Sequence, residues 1–200
     1  MRINRKIGFT IAGGALALLT ACGGNGAATT ADAEPAATAA ATSAAAQPSP
    51  SFNDADVMFA QMMIPHHEQA VEMAELAPGR AGDAEIKELA AKIKAAQDPE
   101  IQTMKGWLAE WGKPAPSEGM GHEMPGIMSA EDMKKLEGAK GKSFDKLFAE
   151  QMIAHHKGAI DMARTEQASG SNPQAKELAK AIETAQQAEV AQMQGILDRL

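Results

Sequence analysis

Tyrosine is missing from this chain, and cysteine occurs once, at Cys22. A single thiol cannot close an internal disulfide, so an exported domain of this composition must be held together by core packing or by bound metal. No alternating run of β-branched or aromatic residues occurs, which excludes a fold built on sheets. No apolar run reaches the roughly 20 residues that a bilayer-spanning helix requires. A Gly-rich phosphate loop and a Gly-x-Ser-x-Gly nucleophile elbow are both missing, so the chain reads as a binding protein rather than an enzyme. Nineteen basic residues face 26 acidic ones, a formal charge of −7 that argues against nucleic acid as a partner and favours cations.

What is present begins with an export signature. Arg2, Arg5 and Lys6 precede the mostly apolar stretch 7–19, and Leu19-Thr20-Ala21-Cys22 is similar to a bacterial lipobox, in which the cysteine is lipidated and becomes the new N-terminus. On this reading residues 1–22 are a signal peptide. Cys22 then anchors the mature chain to the outer face of a bacterial membrane, in the periplasm or cell envelope. Residues 23–51, nearly all Ala, Thr, Gly, Ser and Pro, cannot bury enough apolar surface to order themselves and read as a disordered tether. Residues 52–200 are long enough for one domain with its own core. Loss of the three basic residues of the signal would move the formal charge from −7 to −10.

Residues 56–108 and 145–197 are one module written twice at a constant offset of 89. The first copy carries Met63-Ile64-Pro65-His66-His67 and then Met73; the second carries Met152-Ile153-Ala154-His155-His156 and then Met162. The pairs Lys87/Lys176, Glu88/Glu177, Gln97/Gln186 and Gly106/Gly195 extend the repeat. Apolar residues recur three and four apart, the helical period. A first helix is expected from a cap at Asn53 or Asp54 to Ala77, before Pro78-Gly79, with a kink at Pro65. A second is expected from Asp83, with a bend at Pro99. Asn172 as cap and Pro173 at the first helical position open the last one. Each copy is then a helical hairpin (repeat 1 about 53–111, repeat 2 about 143–200). Between them lie a loop and a short helix within 112–142, the helix opened by the capping pattern Ser129-Ala130-Glu131-Asp132. The expected fold is an all-α, four-helix bundle of two repeated hairpins with a short extra helix.

Four of the five histidines and four of the thirteen methionines fall in the two motifs. Thioether with imidazole is the donor set preferred by copper, above all Cu(I). On a helix Met63 and His66 are neighbours, and Met73 follows two turns on; Met152, His155 and Met162 repeat the arrangement. Di-iron bundles place Glu-x-x-His on two helices, whereas here the spacing reads Met63-x-x-His66 and Met152-x-x-His155, which moves the preference from iron or manganese towards copper. His67 and His156 point about 100° away from their neighbours, so that one of each pair is a flanking ligand, a supporting group or a surface group. Glu72 and Asp161, at equivalent positions, are candidates for orienting a ligand imidazole, or are simply solvated. Met120, His122, Met124 and Met128 form a separate candidate cluster in the Gly- and Pro-rich connector. Against all of this stands packing alone, since Met is a common filler of helical cores and a His can be satisfied inside one. Trp107 and Trp111 read as packing residues.

The segments 59–70 (Phe-Ala-Gln-Met-Met-Ile-Pro-His-His-Glu-Gln-Ala) and 148–159 (Phe-Ala-Glu-Gln-Met-Ile-Ala-His-His-Lys-Gly-Ala), with Met128-Ser129-Ala130-Glu131-Asp132-Met133 between them, closely resemble the bacterial family known as domain of unknown function 305. The resemblance spans roughly residues 52–200. It implies a ferritin-like four-helix fold, an exported location and, for some members, copper binding or tolerance. Carried onto this chain, the motif positions are Met63, His66, His67, Met73, Met152, His155, His156 and Met162. Gln151, where the first copy has Met62, departs from the repeat. The reading is a lipid-anchored copper protein that sequesters the ion or passes it to copper-transport or delivery proteins. Its rivals are a metal-dependent redox enzyme (a cuprous oxidase or a di-metal ferritin-like protein) and a structural helical lipoprotein without metal.

Overall fold

The computed structural model describes residues 51–117 and 124–200; the signal, Cys22, residues 23–50, Met120 and His122 lie outside the described residues. Five helices follow one another: α1 Asp54–Arg80, α2 Ala84–Glu110, α3 Ala130–Gly138, α4 Lys142–Ser169 and α5 Pro173–Leu197. The described chain is all-helical, apart from one isolated bridge between Ala81 and Gly141. No helix among the described residues is long and apolar enough to cross a membrane.

The starts follow the capping residues. The Asn53 side chain accepts from the amides of Ala55 and Asp56 while Asp56 reaches back to the Asn53 amide, a reciprocal box that satisfies donors the helix cannot. Asp83 caps α2, Ser129 caps α3, and Asn172 with Pro173 behind it opens α5. The ends are less obedient to sequence. α1 continues through Pro78 to Arg80, because its last turn is held from outside: the Gly141 amide donates to the Arg80 carbonyl at 2.7 Å, and Arg80 Nε donates to the Glu137 carbonyl at 2.8 Å. Nor does Pro65 or Pro99 interrupt its helix. Each forfeits one backbone bond, and the packed face on either side carries the helix across.

α1 packs along α2 and α4 along α5, and the two hairpins meet mainly through α1 and α4. One apolar cluster takes Ala70 to Ala77 of α1, Ile86 to Ile93 of α2, Phe144 to Ile153 of α4 and Met193 and Ile196 of α5, with Met133 and Leu136 of α3. The other takes Val57 to Ile64, Ile101 to Leu108, Ala159 to Ala163 and Ala175 to Ile182. The start of α1 therefore lies with the end of α4, so the two helices run antiparallel about a pseudo-twofold axis. In the second cluster Phe52 stacks on Trp111 with centroids 4.9 Å apart, and Trp111 on Trp107 at 5.9 Å, which makes both tryptophans packing residues.

Candidate metal centre

Between the two apolar clusters lies a polar layer. On every long helix the residues that separate one cluster from the other are buried polar ones: His66 and His67 on α1, Gln97 on α2, His155 and His156 on α4, and Gln186 on α5. All six are buried, and the repeat places them in equivalent pairs. The helical period brings them to the interior at one level, because α1 and α4 cross where their His pairs fall.

At the centre the rings of His66 and His155 lie with centroids 3.7 Å apart, tilted by 40°. His66 Nε2 donates to the Pro125 carbonyl at 3.1 Å. A carbonyl can only accept, so the proton sits on Nε2 and Nδ1 carries a bare lone pair. That Nδ1 has no partner among the described residues, and neither nitrogen of His155 has one. Burial, reinforced by the charge of His67, pushes His66 down to about 3. Burial also pushes His155 well below the usual imidazole range, with His66, His156 and His67 adding to it. Both rings are thus neutral at physiological pH, the form that ligates metal.

The outer histidines are held symmetrically. His67 Nε2 donates to Glu100 at 2.8 Å and His156 Nε2 donates to Glu189 at 2.7 Å, with each Nδ1 left unpartnered. A carboxylate holding the far nitrogen of an imidazole fixes its ring and makes the near nitrogen a better donor. This work falls to Glu100 and Glu189, not to Glu72 and Asp161. Glu72 is exposed, and the Asp161 side chain, 70% exposed, faces Arg164. Helix geometry accounts for the difference, since Glu72 lies about 120° round the helix from His66. Glu100 and Glu189 also recur at the offset of 89, a signal that marks them as candidates without singling them out from Glu72 and Asp161. Gln97 and Gln186 share it; both amide atoms of Gln97 and the oxygen of Gln186 are buried without a partner.

The thioethers divide across the layer. Met63 and Met162 belong to one apolar cluster, Met73 and Met152 to the other, and all four are buried. Each face of the histidine layer therefore meets two methionines, one from each repeat. Among the described residues no three His, Cys, Asp or Glu side chains converge as a ready cage. The donors that fit are two central imidazoles with thioethers above and below, a soft set of low coordination number.

The connector closes one side of this layer. Pro125 is bonded to His66, and Gly126, at φ 78°, presses its backbone on the carbonyls of Ala154 and His155, where a side chain has neither the conformation nor the space. Gly158 admits the loop in turn, since a Cβ there would run into the Pro125 carbonyl. Its repeat counterpart Gln69 instead clamps Met128, accepting from the Met128 amide at 2.7 Å and donating to its carbonyl at 3.0 Å. Met124 is buried and Met128 half-buried, so the described part of the connector is packed on the bundle.

A family model for a domain of unknown function, DUF305, matches residues 56–197. The chain belongs to the DUF305 family. Among solved structures it is similar to a DUF305 fragment from Deinococcus radiodurans (30% identity, 76% of this chain and 100% of that one, TM-score 0.69). It is similar also to a DUF305 protein of Streptomyces coelicolor considered secreted (33%, 72% and 93%, 0.68). CopM in its Cu(I)-bound form is 35% identical over 72% of this chain and 96% of that one, with a TM-score of 0.63; CopM structures with Cu(II) and with silver are similar too. No curated protein matches this DUF305 chain.

Proposed function

We propose that this DUF305 protein binds copper in the middle of its helical bundle, outside the cytoplasm, to sequester the ion or hand it on. The single observation that carries this is the His66–His155 pair. Two neutral, fully buried imidazoles from equivalent helices face each other, with three of their four nitrogens unpartnered among the described residues. A buried polar atom left without a hydrogen bond costs about 1–3 kcal/mol, so a layer kept purely for packing would be better served by leucine. A bound ion accounts for the lone pairs. Met63, Met152, Met73 and Met162 border the layer as thioether donors, His67 and His156 bring further nitrogens, and Glu100 and Glu189 fix their rings. The similarity to CopM, which is known with Cu(I), Cu(II) and silver bound, supports copper as the cargo.

A di-iron or di-manganese reading would need several carboxylates inside the bundle. Glu68, Glu72 and Glu75 of α1 face solvent, and Glu100 and Glu189 are each engaged by a histidine. The donor set therefore favours copper. The export signature and the likeness to a protein considered secreted support a location outside the cytoplasm. The lipobox pattern at Cys22 supports a lipid anchor there.

Titration of the purified domain with Cu(I) against a chromogenic chelator tests the reading. The wild type is expected to compete and a His66→Ala/His155→Ala variant to lose that competition. Equal competition by both would overturn it.

A further inference from the structure

The pseudo-twofold that relates the hairpins is broken in one place. On one side of the bundle α3 covers the surface, with Met133 and Leu136 inserted into the core and Gln151 Nε2 donating to the Asp132 carbonyl of α3. Among the described residues no helix covers the corresponding place on the other side. It is a groove of about 280 Å³ between the first half of α1 and the last half of α4. Three thioethers line it: Met58 and Met62, one turn apart on α1, and Met162 of α4. Among the described residues Met58 is the one large hydrophobic side chain that stands exposed, at 60%. The repeat counterparts of Met58 and Met62 are Leu147 and Gln151, so these thioethers are confined to the open side.

We propose that this groove is a second metal site, in which Met58, Met62 and Met162 receive a soft monovalent cation, Cu(I) or Ag(I), before it reaches the histidines. Three features of the groove support the assignment. Thioether sulfur is neutral and polarizable, so a cluster of three selects soft cations and leaves the harder divalent ions in water. Asp161 at the rim offers a negative charge to an approaching cation. Pro125, whose carbonyl holds His66, lines the groove too, so its lining reaches a residue bonded to the histidine layer. Met162 also belongs to the apolar cluster that contains Met63, so the groove and the histidine layer share a wall. Capture at the surface by weak thioethers and retention inside by imidazole is a downhill sequence for the ion.

This inference rests on copper being the cargo, and the test separates the two. Ag(I) is titrated into the full chain, in the wild type, in Met58→Leu/Met62→Leu and in His66→Ala/His155→Ala, with bound silver counted by elemental analysis after gel filtration. The methionine methyl resonances are followed by NMR on the same samples. Leucine keeps the volume of both α1 side chains, and circular dichroism checks the fold. The wild type is expected to hold at least one more equivalent than either variant, with the Met58 and Met62 methyl signals moving at early additions. Met58→Leu/Met62→Leu should keep the buried equivalent but fill it more slowly. If that variant matches the wild type in both stoichiometry and rate while the histidine variant loses silver, the groove proposal fails and the copper reading stands. If only the methionine variant loses silver, the histidine site fails and the groove stands. Binding by none of the three overturns both.

Discussion

Asp56 and Asp145, 89 residues apart, each hold the start of the other hairpin's second helix. Asp56 accepts from the amides of Ser171 and Asn172 at 3.2 and 2.9 Å, and Asp145 accepts from those of Gly82 and Asp83, both at 3.0 Å. Both carboxylates are buried. Each repeat thus caps the turn of its partner, and the hairpins are bonded at both ends of the α1–α4 contact.

Removing one of these carboxylates leaves two backbone amides at a helix start without their acceptor. Asp145→Ala is expected to lower stability by about 1.5–3 kcal/mol, the range for hydrogen bonds to a charged group. Asp145→Asn, which keeps one acceptor, should lose less. Urea denaturation of the three proteins checks this; equal stability would show that the hairpins do not depend on the crossed caps.

The first of these caps has a titrating neighbour. Burial, and the Asp56 carboxyl against it, push Glu166 of α4 up to about 8 from an ordinary 4.5. Asp56 itself is held below the usual carboxylate range despite its burial, by Glu166 and by the backbone amides it accepts from, and Lys176 of α5 offsets a little of the rise in Glu166. Above pH 4.5 the unfolded chain gives up the Glu166 proton while the folded chain keeps it. Stability should therefore decline from about pH 4.5 to about 8 and level off beyond. His66 and His155 act in the opposite sense below their ordinary 6.5, so the interval from 6.5 to 8 isolates Glu166. Melting temperatures across that interval should fall in the wild type and stay level in Glu166→Gln; parallel curves would rule the carboxyl pair out as the cause.

Much of this was legible beforehand. The offset of 89, the caps Asn53, Asp83, Ser129 and Asn172, and the inward stripe of His66 and His155 follow from the repeat and from spacing within single helices, whereas the burial of His67 and His156 beside them does not, since neighbours on a helix point about 100° apart. The carboxylates that hold His67 and His156 were not, because Glu100 and Glu189 sit 33 residues from their partners on neighbouring helices. Periodicity along one helix does not see across to the next. Recurrence alone could not choose either, since Glu72 and Asp161 recur at the same offset and face solvent. The division of the methionines needed the direction of α1 against α4, which pairs Met63 with Met162 instead of Met152.

A histidine layer retained for an ion should cost the empty protein stability. His66→Leu/His155→Leu removes two imidazoles whose nitrogens are largely unsatisfied, and the metal-free variant is expected to melt at or above the wild type. Copper should raise the melting temperature of the wild type, stabilising it by about 2.7 kcal/mol at a hundredfold excess over its dissociation constant, and stabilise the variant much less. Calorimetry with and without copper decides it. A loss beyond about 3 kcal/mol in the empty variant would mean the layer exists for packing.

The outer carboxylates should act on affinity more than on folding. Both are about four-fifths buried, at 21% and 18% exposure, and glutamine fills the same space. Glu100→Gln/Glu189→Gln is expected to weaken copper binding about 10–100-fold, the usual effect of removing a carboxylate behind a ligand imidazole. Chelator competition measures it. Unchanged affinity would place His67 and His156 outside the coordinating set.

Gly158 and Gln69 occupy the same place in the two repeats, yet one makes room for the connector and the other grips it. A duplicated hairpin by itself has no front and no back, and an ion at its centre would see two identical exits. By seating Pro125 and Gly126 against Gly158 and the carbonyls of α4 while α3 covers the side where Gln151 lies, the chain makes the two halves of a duplicated bundle unlike, and among the described residues the groove beside Met58 and Met62 is the flank that no helix covers.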